Sequence, residues 1–346
     1  MQRRHSIFFF SVIAVFAVSM LAGTSGVQAK AIQISFMHYF PAKHFVHTKV
    51  AEPWTRIVEK ESNGKVKFTL YPAAALAKPP DFFDAAVAGS VDIIIGYSGY
   101  TPGRFPVSDV FGLPFMGYTS TMCATKTFNE LWSTVPEIEK EWRALKILWF
   151  GSSAPTQLHT KKRAVKRLDD MKGLKIKIGG KTAPYLKALG ATPLSMSSPE
   201  VYDALAKGVI DGTIYPWEAI HGWKLGDQVY YHTWLNLYAE PFYVAMNRDK
   251  WKSLPPDIQK LIEKYGGDYG MQLWAREWDI GNNEALDWLK NDPKHTVITM
   301  PASELERAIE LERPHYDKWF KDMKQKGING PALLNKVRRL AKKYAD

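Results

Sequence analysis

The chain has 346 residues, 46% hydrophobic and 23% charged, an ordinary globular composition with length enough for two domains. Its formal net charge is +11, but the basic residues are spread out, with local clusters at 161–163 and 336–343. These read as solvated helix faces, so nucleic acid is not an expected partner. The single cysteine, Cys123, excludes an intramolecular disulfide and reads as a packed thiol.

Arg3 and Arg4 precede an apolar run over 7–21, and Val27-Gln28-Ala29 puts small residues before a cut. This pattern predicts a cleavable export signal over 1–29, cut near Ala29, and hence a periplasmic location. The run falls short of the roughly 20 apolar residues of an uncut anchor.

Residues 32–37 read as a buried strand, followed by a loop carrying His38, Tyr39 and His44. A helix then runs to Ser62 and stops at Asn63-Gly64, with Pro53 either starting its regular part or kinking it. Residues 66–71 alternate like a strand, Pro79-Pro80-Asp81 opens a helix ending near Gly89, and 91–95 is a short β-rich run. Strands alternating with helices predict an α/β fold with largely parallel sheets.

An internal echo supports a duplicated architecture. Phe83-Asp84-Ala85, Gly89, Val91, Asp92 and Ile95 recur at the same spacing as Tyr202-Asp203-Ala204, Gly208, Ile210, Asp211 and Ile214. Each glycine is placed to end a helix in a left-handed cap, and each aspartate to begin the next strand. Two such lobes would enclose a cleft at the carboxyl ends of their strands. From Trp251 onward the pattern is helical, with a long helix over 269–289 that has Gly281 as a weak point.

The order and spacing of several segments resemble one family. They are Glu61-Ser62-Asn63-Gly64-Lys65-Val66, Gly89-Ser90-Val91-Asp92, Leu113-Pro114-Phe115, Asp170 to Ile176, Ala188 to Pro193, and Glu200-Val201-Tyr202 through Asp211-Gly212. On them the chain resembles the DctP-type extracytoplasmic solute-binding proteins of TRAP transporters over nearly its full mature length. The resemblance implies a two-lobed periplasmic-binding-protein-like fold with a central cleft, lobe-crossing strands and long bracing helices. Lobe 1 would comprise 30–153 plus 241–280; lobe 2 and the bracing helices would comprise 154–240 plus 281–346. It implies a monomer that captures a small organic acid and delivers it to the small and large TRAP membrane subunits.

Departures from the family pattern bear on the ligand. The usual carboxylate-binding arginine aligns with Lys177, which keeps the charge but loses the bidentate fork. A second arginine aligns with Thr156, the usual asparagine with Tyr215, and a frequent phenylalanine near Ser198.

Further candidate ligand-binding residues lie past strand ends: His38, Tyr39 and His44; Tyr97, Ser98 and Arg104; Trp217 and Glu218; and Trp149 near the crossover. Arg104 reads as a replacement clamp or as a surface arginine. Glu218 reads as an acceptor for a ligand ammonium or as a helix cap. The aromatics favour a bulky or aromatic acid; a simple mono- or dicarboxylate, or a sensor role at a membrane receptor, are the alternatives. His44 and His47 lack a third ligand, so no metal is expected, nor any cofactor. No nucleotide-binding or hydrolase motif argues for an enzyme.

Overall fold

The computed structural model describes residues 30–345; the expected export signal over 1–29 lies outside the described residues. The strands are β1 (Ile32–Met37), β2 (Val66–Tyr71), β3 (Ile93–Tyr97), β4 (Leu145–Ser152), β5 (Gln157–Thr160), β6 (Lys175–Ile178), β7 (Thr192–Ser195), β8 (Gly212–Tyr215), β9 (Tyr231–Trp234), β10 (Pro241–Asn247) and β11 (Thr296–Thr299). They form two sheets, one ordered β2-β1-β3-β10-β4 and the other β11-β9-β5-β8-β6-β7. Every residue of β3 and β10 is buried, which is why these strands read as continuous apolar runs rather than alternating ones.

The echo is structural. Gly89 (φ 74°) and Gly208 (φ 70°) are both left-handed and close the helices Phe82–Val87 and Val201–Ala206. Next comes a carboxylate with the same task in each sheet. Asp92 accepts the Ser35 backbone N–H at 2.8 Å, and Asp211 accepts the Lys175 N–H at 2.8 Å. On the other side, the Asp92 carbonyl accepts from Asn247 N–H and the Asp211 carbonyl from Lys161 N–H. Thus β3 and β8 are each locked between a parallel and an antiparallel neighbour.

Two chain segments, 153–156 and 235–240, cross between the sheets side by side. Ser153 N–H donates to the Glu240 carbonyl at 3.0 Å and Thr156 N–H to the Tyr238 carbonyl at 2.8 Å. A third link is the helix Gly267–Asn291. Its Trp274 and Trp278 are buried in the core of the first sheet, while Ala285, Leu286 and Leu289 are buried against β8-side residues such as Trp217 and Ile220. Gly281, expected as a weak point, lies mid-helix where a β-carbon would come within 3.4 Å of the Phe45 ring, so it admits close packing without interrupting the helix.

The C-terminal helices depart from the expected grouping with lobe 2. Tyr316, Trp319, Met323, Leu334 and Val337, from Arg313–Gln325 and Gly330–Tyr344, are buried in the first sheet's core. Gly330–Tyr344 packs on Thr121–Thr134, where the Cys123 thiol donates to the Ala341 carbonyl at 3.2 Å. Only Ala302–Leu311, through Ala308, joins the second sheet's core.

Candidate functional site

The cleft between the lobes is bounded by side chains from the ends of β1, β3, β6 and β8 and from the crossing segment. The first lobe contributes Tyr39, Tyr97 and Tyr100. Tyr100 packs edge-on to Tyr39 (centroids 5.6 Å apart) and to Tyr97 (5.0 Å). Tyr39 also stacks on Trp223 at 6.1 Å, and Tyr97 lies 5.5 Å from Phe242. A 3₁₀ turn over Ser98–Tyr100 begins directly at the end of β3; Ser98 is buried there and its carbonyl accepts from Thr101, so its part is in the turn that carries Tyr100.

From the second lobe comes Lys177, on β6 and only 2% exposed. Its ammonium sits 3.8 Å from the centroid of the Tyr215 ring, a cation–π contact. No carboxylate lies within ion-pair distance of it among the described residues. Burial pulls its pKa down to about 8, opposed by the charge of Glu240. Glu240, 5% exposed on the crossing segment, is the complementary group. Burial pushes its carboxyl up to about 7; Lys177 opposes this and Glu218 adds to it. One buried cation and one buried acid that sense each other's charge therefore lie among buried tyrosines where the lobes meet.

The lobes meet around this cage. The Tyr100 hydroxyl accepts the Ser198 backbone N–H at 2.9 Å, and Tyr215 donates its hydroxyl to Ser198 Oγ at 2.6 Å. Lys181 forms an ion pair with Asp109 from the other lobe. His44 Nε2 lies 3.2 Å from Glu218 Oε2, both side chains being buried. Outside the Tyr100–Ser198 contact, a cavity of about 700 Å³ opens between the Ala73–Pro80 flap and Ser195, Met196 and Pro199. In that flap Ala73 and Ala74 both take left-handed φ values (55° and 58°), a strained turn held by N–H bonds to the Phe40 and His38 carbonyls. A cavity of about 680 Å³ lies behind His44 and Glu218, walled by Trp223 and Trp288.

Of the residues singled out from the sequence, the structure brings Tyr39, Tyr97, Lys177, Ser198 and Tyr215 together at the cleft. His44 and Glu218 flank it as an interlobe pair, so the Glu218 carboxylate faces a protein side chain. Five expectations are corrected. Arg104 lies on the outer face, bonded to Asp84 at 2.8 Å and stacked on Phe83 at 4.6 Å. Trp149 points into the first lobe's core against Trp54, 5.4 Å away. His38 bonds His47 at 2.9 Å within a buried pair. Thr156 spends its hydroxyl on the Tyr238 carbonyl at 2.9 Å, bracing the crossing segments. Trp217 fills the second lobe's core, edge-on to His159 and Trp234. Glu240 and Tyr238 were missed, since the crossing segment carries no periodic pattern that signals a site.

A two-lobed fold with two crossing segments, a spanning helix and charged and aromatic side chains where the lobes meet defines the solute-binding class of protein. Residues 36–322 match the family model described as bacterial extracellular solute-binding protein, family 7, and the chain belongs to that family. A solved TRAP solute-binding protein from a marine metagenome, specific for aromatic acid ligands and bound to meta-hydroxyphenylacetate, is 32% identical with a TM-score of 0.85, covering 91% of this chain and 100% of that one. Another, from Rhodoferax ferrireducens T118 with copurified benzoate, is 32% identical with a TM-score of 0.84, covering 91% of this chain and 98% of that one. The C4-dicarboxylate-binding periplasmic protein DctP of Rhodobacter capsulatus is 26% identical over 296 residues, 84% of this chain and 86% of that protein.

Proposed function

We propose that this chain is the exported, periplasmic binding component of a TRAP transporter and that its solute is an aromatic monocarboxylic acid. The observation that carries this reading is the Lys177 ammonium, buried without a counter-ion in contact and laid on the Tyr215 ring inside a cage of tyrosines. A buried charge without a partner is costly, and an incoming carboxylate relieves that cost. Tyr39, Tyr97 and Tyr100 supply flat apolar area for a ring. The likeness to solved proteins that hold benzoate and meta-hydroxyphenylacetate supports the same ligand class. Contacts between the lobes close the site and exclude water, which strengthens the polar contacts to a held solute.

Thermal shift and calorimetry on the mature protein test this. Benzoate, phenylacetate or mandelate at 100 times Kd is expected to add about 2.7 kcal/mol of stability. Saturable binding of succinate or malate with no response to any aromatic acid would overturn it. Export with removal of 1–29 is checked by N-terminal sequencing of protein recovered from a periplasmic fraction, where the expected first residue is Lys30.

A further inference from the structure

We infer that Glu240 is a specificity-determining residue of the cleft, selecting aromatic acids that carry, besides the carboxylate, a hydroxyl or amino hydrogen-bond donor. This rests on the aromatic-acid reading and goes beyond it by naming the second polar feature of the ligand.

The geometry sets Glu240 apart from the other polar groups around the cleft. Tyr215 and Tyr100 are occupied with Ser198 and Tyr97 with Tyr238, while Glu218 approaches His44 at 3.2 Å. The Glu240 backbone is fully engaged with Ser152 and Ser153, which fixes where its side chain starts, yet its carboxylate accepts no hydrogen bond from any described residue. The groups it senses come from both lobes: Lys177 on β6, Glu218 beyond β8, and the hydroxyls of Tyr39, Tyr97, Tyr100, Tyr215 and Tyr238. One cation and one free acceptor, enclosed with aromatic walls, are complementary to a ring bearing one carboxylate and one donor.

A plain aromatic acid satisfies Lys177 but leaves the Glu240 acceptor desolvated without a partner. A site built around a ligand donor discriminates against the analogue that lacks it, because the buried group is then unpaired. A second carboxylate on the ligand meets like-charge repulsion from Glu240, so dicarboxylates are disfavoured too. Burial raises the Glu240 carboxyl well above the usual carboxylate range, so lower pH favours its protonated form, which demands a donor less, and higher pH the ionised form, which demands it more. Lys177 loses its charge above about pH 8, but this weakens all carboxylates alike and cancels from a ratio of affinities.

The test is calorimetry of the full mature chain with phenylacetate, mandelate, 3-hydroxyphenylacetate and phenylalanine at pH 6.0 and pH 8.0. At least one donor-bearing acid is expected to bind about 10- to 100-fold more tightly than phenylacetate at pH 8.0. That ratio is expected to shrink at pH 6.0 in the wild-type protein and at both pH values in Glu240→Leu, with Glu240→Gln intermediate. Equal affinities at pH 8.0, or a ratio unchanged by pH and by both substitutions, would overturn the inference while leaving the aromatic-acid reading intact. Binding of none of the four acids overturns that reading and this one with it. The pH arm needs only the wild-type protein, so it stands even if a variant fails to fold.

Discussion

Tyr100 and Ser198 join the two lobes through a single hydroxyl: Ser198 N–H donates to the Tyr100 oxygen at 2.9 Å, and Ser198 Oγ lies 3.1 Å from it. Tyr100 is held at the end of β3 and Ser198 begins the short 3₁₀ turn before Val201–Ala206, so this bond exists only when the lobes are together. Tyr100→Phe keeps the ring wall but strands the Ser198 N–H. An unpaired group of this kind costs about 1–3 kcal/mol, which here falls on the closed state alone. The expected outcome is about 5- to 100-fold weaker binding of an aromatic acid, read by stopped-flow mainly as faster release. An unchanged dissociation rate would remove Tyr100 as a latch.

Lys177 and Arg104 make a contrasting pair. Lys177→Met removes the buried cation and is expected to weaken carboxylate binding by about 10- to 100-fold, the range for a hydrogen bond to a charged group. Arg104→Ala, on the outer face with its side chain 36% exposed, is expected to leave affinity within about twofold and to cost about 0.5 kcal/mol or less in stability. Titration of both variants with benzoate decides this, and equal losses in the two would move the anion site away from Lys177.

The pH dependence of binding has a definite sign. Lys177 is charged below about pH 8, and Glu240 is neutral below about pH 7. Both changes weaken a bound anion as pH rises. For a plain aromatic carboxylate the dissociation constant is expected to be flat below pH 6.5 and to climb by roughly tenfold per unit above pH 8. Calorimetry from pH 6 to pH 9 checks this, and an affinity that improves with pH would contradict the charge assignment.

Much of this was legible from local pattern. The echo around Asp92 and Asp211 works because helix caps and strand starts are short-range chemistry, and both aspartates accept a neighbouring strand's N–H. Lys177 and Tyr215 were visible because each sits at a strand position that the family resemblance marks. Trp149 and Trp217 misled because an aromatic residue near a strand end faces either core or cleft, and sequence gives no sheet rotation to decide between them. Glu240 was invisible for a different reason. It lies on one of two irregular crossing segments, which leave no periodic trace, and it meets the charge of Lys177 only in the folded chain.

Acid stability turns on the buried histidines. In the second sheet His159 Nε2 lies 3.0 Å from the Tyr215 carbonyl, His159 Nδ1 2.8 Å from His232 Nδ1, and His232 Nε2 2.9 Å from His295 Nδ1. A carbonyl only accepts, so His159 carries its proton on Nε2. It must then accept from His232, which in turn accepts from His295, and the chain runs in one direction. Protonating His232 puts a second donor into this chain. Burial holds His159 at about 3 and His232 at about 2, far below the ordinary 6.5, and His38 in the first lobe is also at about 3. These lowered values mean that the unfolded chain binds protons first as pH falls. The stability of neutral burial is thus intact above pH 6.5 and lost below it, by about 1.4 kcal/mol per group per pH unit. Thermal unfolding is expected to show Tm falling steeply from pH 6 to pH 4. His232→Gln is expected to lower Tm at pH 7.5 but to flatten that slope, since one of the titrating groups is gone. Parallel Tm curves for the variant and the wild type across this range would show that His232 does not govern the acid transition.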